Sequence, residues 1–305
     1  MSRKIIYLIN PISGTRGKSS LQQLITQRTQ RENIEFSVYP TNPEGNYDFL
    51  RAVIQQEKVT DVVICGGDGT VSAVMAALTG SDTRVGIIPM GSGNGLAFAA
   101  KIPKDPEKAL DIIFSGKASS IDGFLINGHF SCMLCGIGFD GKVAHEFALQ
   151  LTRGLQTYAK VTMKNFFTAR TWPFRISIPA AGNGGALSFS VDAFFINVAN
   201  GDQFGNHFTI APKASLQDGL LDIVIVKKAG RISFLFSVIR QVLGGYSVQA
   251  SPIEKGRRTV LYFRTPSLEI ANPEYAPLHI DGDPAAPAKN LVVKVVPNAI
   301  LLIKP

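Results

Sequence analysis

The sequence predicts an α/β domain followed by a β-rich domain, and three observations lead to this fold class. In the first part of the chain, short apolar strands alternate with amphipathic helical segments, as in a parallel sheet covered by helices on both faces. From residue 123 onward, apolar strands follow one another with few helical segments between them. The 305 residues suit one large domain or two smaller ones at about 150 residues per domain.

The first 122 residues contain four predicted strands and four predicted helical segments. The strands are Ile5–Ile9, Ile34–Tyr39, Asp61–Cys65 and Arg84–Pro89. Apolar residues at helical spacing separate or follow them, at Leu21–Ile25, Tyr47–Ile54, Val71–Leu78 and Ala109–Phe114. The third strand is apolar throughout after its first residue, which is typical of a strand buried on both faces of a parallel sheet.

The remainder of the chain is predicted to be mostly strands. They are Phe124–Ile126, Phe130–Leu134, Phe174–Ile178, Ala193–Asn197, Leu220–Val226, Val260–Phe263, Leu278–Ile280, Leu291–Val296 and Ile300–Ile303. Asn127-Gly128 between the first two is a strong hairpin signal, because both residues accept the positive φ of a tight turn. Two helical segments are predicted, at Glu146–Phe167 and Ile232–Leu243.

Composition and charge narrow the class of protein. Apolar residues make up 45% and charged residues 18% of the chain, which is ordinary for a folded protein and excludes general disorder. The formal net charge of +8 favours an anionic partner such as a phosphate, a nucleic acid or a lipid surface. Three cysteines are too few for a disulfide scaffold. No export signal and no apolar run of about 20 residues is visible, so we expect a cytoplasmic protein.

The strongest local signal is the segment Gly66-Gly67-Asp68-Gly69-Thr70, which stands between an apolar strand and an amphipathic helix. Glycines allow the backbone to approach a ligand closely, and a helix start offers N–H groups to a phosphate. Two more polar, glycine-rich segments, Asn10–Gly14 and Gly91–Gly95, follow other strands of the same predicted sheet. Because ligands bind at the carboxyl ends of parallel strands, the three segments together indicate a phosphate-rich ligand.

Other motifs are weaker or misleading. Gly14 and Gly17-Lys18-Ser19 imitate a Walker A loop, but two residues separate the glycines where four are required. Asp68 inside the glycine run disagrees with the dinucleotide fingerprint, and we interpret its carboxylate as serving a metal or accepting a proton. Cys132 and Cys135 have metal-site spacing without a second pair, so a buried strand is the better interpretation. The four histidines show no ligand spacing, and His279 is expected to be structural.

These segments resemble a known family. Asn10–Gly14, Gly66–Thr70 and Pro89–Asn94 are similar to the nucleotide loops of the diacylglycerol kinase catalytic domain. More specifically, they resemble the bacterial soluble lipid kinases related to sphingosine and ceramide kinases. The resemblance continues in the same order through Gly136–Asp140, Ala211–Asp222 and Asp281–Asp283. The glycine-aspartate loop is shared with NAD kinases and resembles one in phosphofructokinases, whereas the Asp-Gly-Leu-Leu-Asp segment is the more specific marker.

The resemblance implies a two-domain fold of the NAD kinase and diacylglycerol kinase type. Residues 1–122 would form a three-layer α/β domain that binds ATP, joined by a C-terminal strand at residues 298–305. Residues 123–297 would form a β-sandwich domain for the lipid substrate. The nucleotide would contact Asn10, Pro11, Ile12, Ser13, Gly14, Thr41, Gly66, Gly67, Asp68, Gly69, Thr70, Val71, Ser72 and Ser92. Mg²⁺ would be held by Asp218 and the backbone carbonyls of Ser215 and Leu220, oxygen ligands that suit this cation.

The resemblance also implies a proton acceptor in the segment Asp281-Gly282-Asp283, which is similar to the family's Asp-Gly-Glu. Its last carboxylate is one methylene shorter here, so Asp281 and Asp283 both stay open as the base. Related sphingosine kinases are argued to use the aspartate that corresponds to Asp68. We favour the Asp281/Asp283 pair because it comes from the lipid domain, and we expect Asp68 to organise Mg²⁺.

The resulting hypothesis is an ATP- and Mg²⁺-dependent lipid kinase that phosphorylates the hydroxyl of a diacylglycerol-like or related lipid. The helical segment Glu146–Arg170 mixes apolar and basic residues and could touch an anionic membrane surface. A homodimer is left open, and nucleic-acid binding is not expected, because no basic and aromatic motif is present. The alternatives are an NAD kinase and a nucleotide-dependent lipid-binding module without catalysis.

Overall fold

The structure is a computed structural model that describes residues 2–9, 18–42, 44–152, 154–166, 168–180, 185–205, 208–209, 211–227 and 260–305. The chain divides into two compact units. The first comprises Met1–Asp122 and Asn298–Pro305, and the second comprises Gly123–Pro297. Within the described ranges, no helix combines the length and the apolar character that a membrane span requires.

The first unit is a parallel sheet with helices on both faces. Its strands are β1 (Lys4–Ile9), β2 (Glu35–Pro40), β3 (Asp61–Gly66) and β4 (Arg84–Pro89). Its helices are α1 (Lys18–Arg31), α2 (Phe49–Glu57), α3 (Asp68–Leu78), α4 (Gly95–Ala99) and α5 (Pro106–Ser115). Two more strands belong to both units, β5 (Lys117–Ile126) and β17 (Asn290–Lys304). Helix α1 packs beside α5 and α2 beside α3, so the sheet lies between two helical layers.

The strand order in the first unit is β2–β1–β3–β4–β17, with all neighbours parallel. The last strand pairs through Leu301 and Leu302 with Arg84 and Val85 of β4. Strand β3 is buried along its whole length, as its apolar sequence predicts. Its first residue, Asp61, is fully buried at the amino edge of the sheet, where the guanidinium groups of Arg3 and Arg84 neutralise it.

The second unit is built mainly of antiparallel strands. They are β6 (His129–Ser131), β7 (Leu134–Gly138), β8 (Trp172–Ile178), β9 (Leu187–Ala199), β10 (Gln203–Gly205), β11 (Phe208–Thr209), β12 (Leu221–Lys227), β13 (Val260–Thr265), β14 (Ser267–Ala271), β15 (Leu278–Ile280) and β16 (Asp283–Ala285). The strand order is β16–β15–β7–β9–β8–β14–β17, and β12 pairs with β9 and β13. Two helices, α6 (Phe139–Ala148) and α7 (Leu155–Phe166), pack against each other.

The predicted hairpin at Asn127-Gly128 is confirmed. Ile126 pairs with His129, so two residues form the turn between β5 and β6. Their φ angles are +48° and +85°. This left-handed pair is the type I′ turn that asparagine followed by glycine favours, because its twist matches that of the strands.

Several predicted elements are wrong in detail. The single helix predicted over Glu146–Phe167 is two helices, since residues 149–152 are not helical and Gly154, just before α7, has a φ of +111°. The strand predicted over Phe130–Leu134 is interrupted between β6 and β7. The two strands predicted after Leu291 are one continuous strand, β17. The predicted helical segment Ile232–Leu243 lies outside the described residues.

Candidate functional site

The glycine-rich segments that follow β3 and β4 lie against each other at the carboxyl edge of the parallel sheet. The backbone N–H of Met90 donates a 2.9 Å hydrogen bond to the carbonyl of Gly66. Thr41 follows β2 at the same edge, and its N–H donates to the carbonyl of Ile9, at the end of β1, at 3.0 Å. The structure therefore brings together two of the three predicted loops. The third, Asn10–Gly14, lies outside the described residues.

Asp68 joins the two loops through its carboxylate. Oδ2 accepts a 2.7 Å hydrogen bond from the backbone N–H of Asn94, and Oδ1 accepts one of 2.7 Å from that of Gly95. Charge-assisted hydrogen bonds of this kind are among the stronger ones in proteins. The interpretation of the Asp68 carboxylate as useful only to a metal or a proton was incomplete, because it also fixes the second loop.

Asn94 is a second residue that fixes the loop after β4. The sequence predicts no individual role for it within the segment Gly91–Gly95. It is buried and adopts left-handed φ and ψ angles of 54° and 44°. Its side chain folds back onto Gly91, accepting from the N–H at 2.8 Å and donating to the carbonyl at 2.7 Å. These contacts close the loop on itself, and Ser92 is left exposed at its tip.

Three glycines lie in close contacts here, two with backbone and one with a side chain. A Cβ atom on Gly67 would lie 3.0 Å from the Cα of Gly91, and one on Gly91 would lie 2.6 Å from the Cα of Gly67. A Cβ on Gly93 would lie 2.6 Å from Oδ2 of Asp68. The glycines therefore serve loop-to-loop packing. Helix α3 begins directly after Gly67, so its positive dipole end lies at this edge.

In the second unit, Asp281-Gly282 is the two-residue turn between β15 and β16. Ile280 pairs with Asp283, and the φ angles of the turn residues are +50° and +89°. Despite its place in a turn, Asp281 is only 6% exposed. Its Oδ1 accepts hydrogen bonds from Ser131 Oγ at 2.6 Å, from Leu134 N at 3.0 Å and from Met133 N at 3.2 Å.

Asp283 differs from Asp281 in its surroundings, because it is exposed at the first position of β16. The two carboxylates that the sequence left open as the base are thus distinguishable. Asp281 stabilises the connection between β6 and β7, whereas Asp283 is exposed to solvent.

A buried polar cluster that the sequence analysis did not predict lies next to this turn. The N–H of Gly282 donates to His279 Nδ1 at 3.2 Å, and His279 Nε2 lies 3.0 Å from Asp140 Oδ2. Asn197 Nδ2 donates to the same carboxylate oxygen at 3.1 Å. A Cβ on Gly136 would collide with both Asp140 and His279. The motif Gly136–Asp140 was the sequence signal that could have pointed to this cluster. The full burial of His279 agrees with the structural role expected for it.

Asp218 lies in the turn before β12 and is paired with an arginine. Its Oδ2 accepts from Arg264 Nη1 at 3.2 Å, and its Oδ1 accepts from the N–H of Leu220 at 3.1 Å. Four residues later, Asp222 is fully buried and accepts a short hydrogen bond from the Tyr262 hydroxyl. Its other oxygen has no hydrogen-bond partner among the described residues.

Burial raises the pKa of Asp222 to about 7. The positive charges of Arg264 and Lys213 oppose this change, and the negative charge of Asp218 adds to it.

The residues implied for Mg²⁺ have suitable donor chemistry. A carboxylate and backbone carbonyls are oxygen ligands, and the unpartnered oxygen of Asp222 is a further donor close in sequence to Asp218. Within the described ranges, however, no group of three or more histidine, cysteine, aspartate or glutamate side chains could hold a metal. The Arg264 guanidinium already compensates Asp218, so a cation would share this carboxylate with a positive charge.

Comparison with known proteins gives two family matches that together span most of the chain. The diacylglycerol kinase catalytic domain matches residues 4–126, and the YegS C-terminal NAD kinase beta sandwich-like domain matches residues 134–304. A protein of Xanthomonas campestris pv. campestris (strain 8004) named "Probable lipid kinase YegS-like" is 30% identical over 266 residues, covering 84% of this chain and 82% of that protein.

A diacylglycerol kinase of Mycobacterium tuberculosis (strain ATCC 25618 / H37Rv) is 25% identical over 309 residues, covering 99% of this chain and 95% of that protein. The crystal structure of a diacylglycerol kinase from Bacillus anthracis str. Sterne superimposes with a TM-score of 0.74 at 19% identity, covering 99% of this chain and 97% of that one. At that identity the likeness shows a shared fold.

Proposed function

The chain belongs to the lipid kinases that combine a diacylglycerol kinase catalytic domain with a YegS C-terminal NAD kinase beta sandwich-like domain, and from this we propose that it transfers the γ-phosphate of ATP to a lipid hydroxyl. The observation that carries the proposal is the pair of glycine loops joined by Asp68 at the amino end of α3. Phosphoryl transfer depends on positioning and charge neutralisation more than on covalent chemistry. A loop pair fixed by these hydrogen bonds, next to the N–H groups at the start of α3, suits that task.

In this proposal the first unit binds ATP at the carboxyl edge of its sheet. The contacts come from Asn10–Gly14, Thr41, the segment Gly66–Ser72 and Ser92. The N–H groups of the first turn of α3 favour the phosphates, because the helix dipole adds positive charge there. Asp68 contributes by holding the Asn94–Gly95 backbone in place.

For the proton acceptor we propose Asp283. Its exposure supports this choice over Asp281, whose Oδ1 already accepts three hydrogen bonds. A carboxylate oxygen of Asp283 takes the proton of the lipid hydroxyl as the hydroxyl oxygen attacks the γ-phosphorus. The bond from the γ-phosphorus to the bridging oxygen breaks, and ADP leaves. A general base of this kind contributes about 10²–10⁴-fold to the rate. Asp281 keeps the turn in position.

We propose that Mg²⁺ is held by Asp218 with the backbone carbonyls of Ser215 and Leu220. When bound, this cation supplies positive charge that offsets the negative charge of the reacting groups. Asp222 lies close in sequence, and its second oxygen has no hydrogen-bond partner among the described residues. It would add negative charge near the cation when deprotonated.

The test is to incubate the full chain with a total lipid extract and ATP labelled in its γ-phosphate, and to identify the labelled lipid. Asp283→Asn is the matched inactive control, because asparagine has nearly the same size as aspartate and position 283 is exposed. Labelled lipid that depends on Asp283 supports the proposal. A parallel incubation supplies NAD⁺ in place of the lipid extract. Labelled NADP in that incubation, without labelled lipid in the first, overturns the proposal.

A further inference from the structure

The connection between α6 and α7 exposes two leucines to an unusual degree. Leu149 is 81% exposed and Leu151 is 104% exposed. In the described part of the chain, the other exposed large apolar side chains reach at most 53%, at Tyr275. Scattered, half-exposed apolar side chains are ordinary on protein surfaces. Two leucine side chains that are almost fully exposed at the tip of one connection indicate a surface that binds a partner.

The tip is held by well-packed helices. The rings of Phe147 and Tyr158 meet edge to face at 5.5 Å, which fastens the end of α6 to the start of α7. Asn165 Nδ2 donates to Glu146 Oε2 at 2.8 Å, a second link between the helices. This helical hairpin therefore presents its leucines outward on a firm support.

The exposed face of α7 carries positive charge next to the tip. Lys160, Met163 and Lys164 lie three or four residues apart, so they share one face of the helix, and all are exposed. Residues 139–170 contain five lysines and arginines against two acidic residues. Of the two acids, Asp140 is buried, and Glu146 bonds to Asn165 and lies 4.0 Å from Lys164 Nζ. Arg170 is paired with Glu274, whereas the Lys164 side chain stays 81% exposed despite its long contact with Glu146.

We propose that the tip, residues 149–152, inserts Leu149 and Leu151 into the surface of a membrane containing anionic lipids, with Lys160 and Lys164 against the headgroups. The choice of partner rests on the proposed function, because a lipid hydroxyl substrate resides in such a surface. Interfacial binding grows with inserted apolar area and with attraction between basic side chains and anionic lipids. A stable protein interface generally needs above about 1,000 Å², far more than two leucines supply.

The first test measures binding without nucleotide. The full chain is sedimented with phosphatidylcholine vesicles that contain or lack phosphatidylserine. Leu149→Ser/Leu151→Ser should weaken binding by at least about tenfold, because two apolar side chains no longer leave water. Leu187→Ser, which changes a 43% exposed leucine on β9, is the matched control and should bind like the unmodified chain.

Charge is tested in the same assay. Lys160→Gln/Lys164→Gln should reduce the preference for vesicles with phosphatidylserine, whereas Lys294→Gln on β17 should not. Equal binding by the double leucine variant and the unmodified chain would overturn the proposal. So would self-association of the chain that depends on these leucines while vesicle binding does not.

A second test reports insertion directly. The three native cysteines, Cys65, Cys132 and Cys135, are buried, so Leu151→Cys offers one reactive thiol for an environment-sensitive dye. Dye emission should rise and shift to the blue with anionic vesicles, and the same dye on Leu187→Cys should stay unchanged. Unchanged emission of the dye at residue 151, in protein that sediments with the vesicles, would contradict insertion.

Failure of the proposed function is distinguishable from failure of this inference. Phosphorylation of a short-chain diacylglycerol below its micelle concentration should be the same in the double leucine variant and the unmodified chain. Leucine-dependent vesicle binding without any lipid phosphorylation supports the inference and refutes the kinase assignment. Lipid phosphorylation together with vesicle binding that does not depend on the leucines supports the kinase assignment and refutes the inference.

Discussion

The carboxylate of Asp68 accepts a 2.7 Å hydrogen bond from the backbone N–H of Asn94, which lies in the loop after the next strand of the sheet. Its second oxygen accepts an equally short bond from Gly95. A negative charge inside a loop expected to bind phosphate is thereby directed at backbone N–H groups. This relationship fixes the loop after β4 to the start of α3. In our proposal Asp68 therefore positions the nucleotide loops, and Asp283 is the base.

Replacing Asp68 tests that role. Asp68→Ala should weaken ATP binding and destabilise the first unit, since two charge-assisted hydrogen bonds worth about 1.5–3 kcal/mol each are lost. Thermal unfolding and nucleotide titration measure both effects. Asp82→Ala, at an exposed carboxylate, is the control. If Asp68→Asn keeps normal stability and ATP affinity but loses kcat, Asp68 is the base and our assignment is wrong.

Gly67→Ala should separate the two loops, because the added Cβ would lie 3.0 Å from the Cα of Gly91. Strain of this kind typically costs about 1–3 kcal/mol, and we expect ATP affinity to fall by about tenfold or more. Gly185→Ala is the control, since no atom of the described residues lies within 4 Å of the new Cβ there. Calorimetric titration with ATP measures the affinity of both variants. Equal ATP affinities of Gly67→Ala and Gly185→Ala would remove Gly67 from the site.

Asp281 and Asp283 should respond differently to the same change. Asp283→Asn should retain its unfolding temperature and lower kcat by about 10²–10⁴-fold. Asp281→Asn should lower stability, because it disturbs an oxygen that accepts three hydrogen bonds. Ser131→Ala, which removes one of those donors, should shift stability in the same direction. A stable Asp281→Asn protein without turnover would reverse the two roles.

Asp222 predicts a pH dependence of folding. Its pKa rises from 3.8 to about 7 through burial, so the folded chain keeps this proton after the unfolded chain has released it. The contribution of Asp222 to stability is therefore fully present below pH 3.8 and is lost as pH rises to about 7. Asp222→Asn mimics the protonated acid and should gain stability over the unmodified chain by about 1 kcal/mol per pH unit in that window.

The measurement for Asp222 is thermal unfolding from pH 4 to pH 8 in buffer with a chelator, so that no cation stabilises the carboxylate. The groups that act on Asp222 are Arg264, Lys213, Asp218 and the Tyr262 hydroxyl. Asp82→Asn, at an exposed carboxylate, should leave the pH profile unchanged. Parallel profiles for Asp222→Asn and the unmodified chain would show that the buried acid does not titrate there.

Arg264 should compete with Mg²⁺ for Asp218. Arg264→Gln removes a positive charge 3.2 Å from the carboxylate, so Mg²⁺ affinity should rise by about fivefold, equivalent to about 1 kcal/mol. Asp218→Asn should abolish the binding. Titration calorimetry measures both, with the exposed Arg175→Gln as a control for net charge. Weaker Mg²⁺ binding by Arg264→Gln would show that the arginine supports the cation site.

The sequence predicts the first unit well because its strands are short, apolar and buried. Arg84–Pro89 is observed as predicted, and Asp61–Cys65 extends by one residue. Periodicity failed at Glu146–Phe167, because Leu149 and Leu151 continue the apolar pattern although residues 149–152 lie outside the helices. Leu149 and Leu151 then resemble core residues in the sequence while the structure exposes both. Strand β14 went unpredicted because it is short and directly follows β13.

The candidate site is less predictable, because its contacts join distant parts of the chain. Asp68 binds N–H groups 26 and 27 residues away, and no local pattern reveals that pairing. Asp281 lies in a turn that looks solvated in the sequence, yet its partner Ser131 is 150 residues distant and buries it. Motif resemblance identifies candidate site residues such as Asp281 and Asp283. Only the packing of the folded chain shows that Asp281 is buried and Asp283 is exposed.

Strand β17 has a consequence for biosynthesis. Its residues Leu301 and Leu302 complete the first sheet beside β4, although the whole second unit lies between them in the chain. A ribosome therefore releases the second unit before the first can close its edge. Until then β4 offers an unpaired strand edge to other nascent chains, a hazard that chaperones commonly relieve. Removing residues 298–305 should leave that edge open permanently and lower the yield of folded protein.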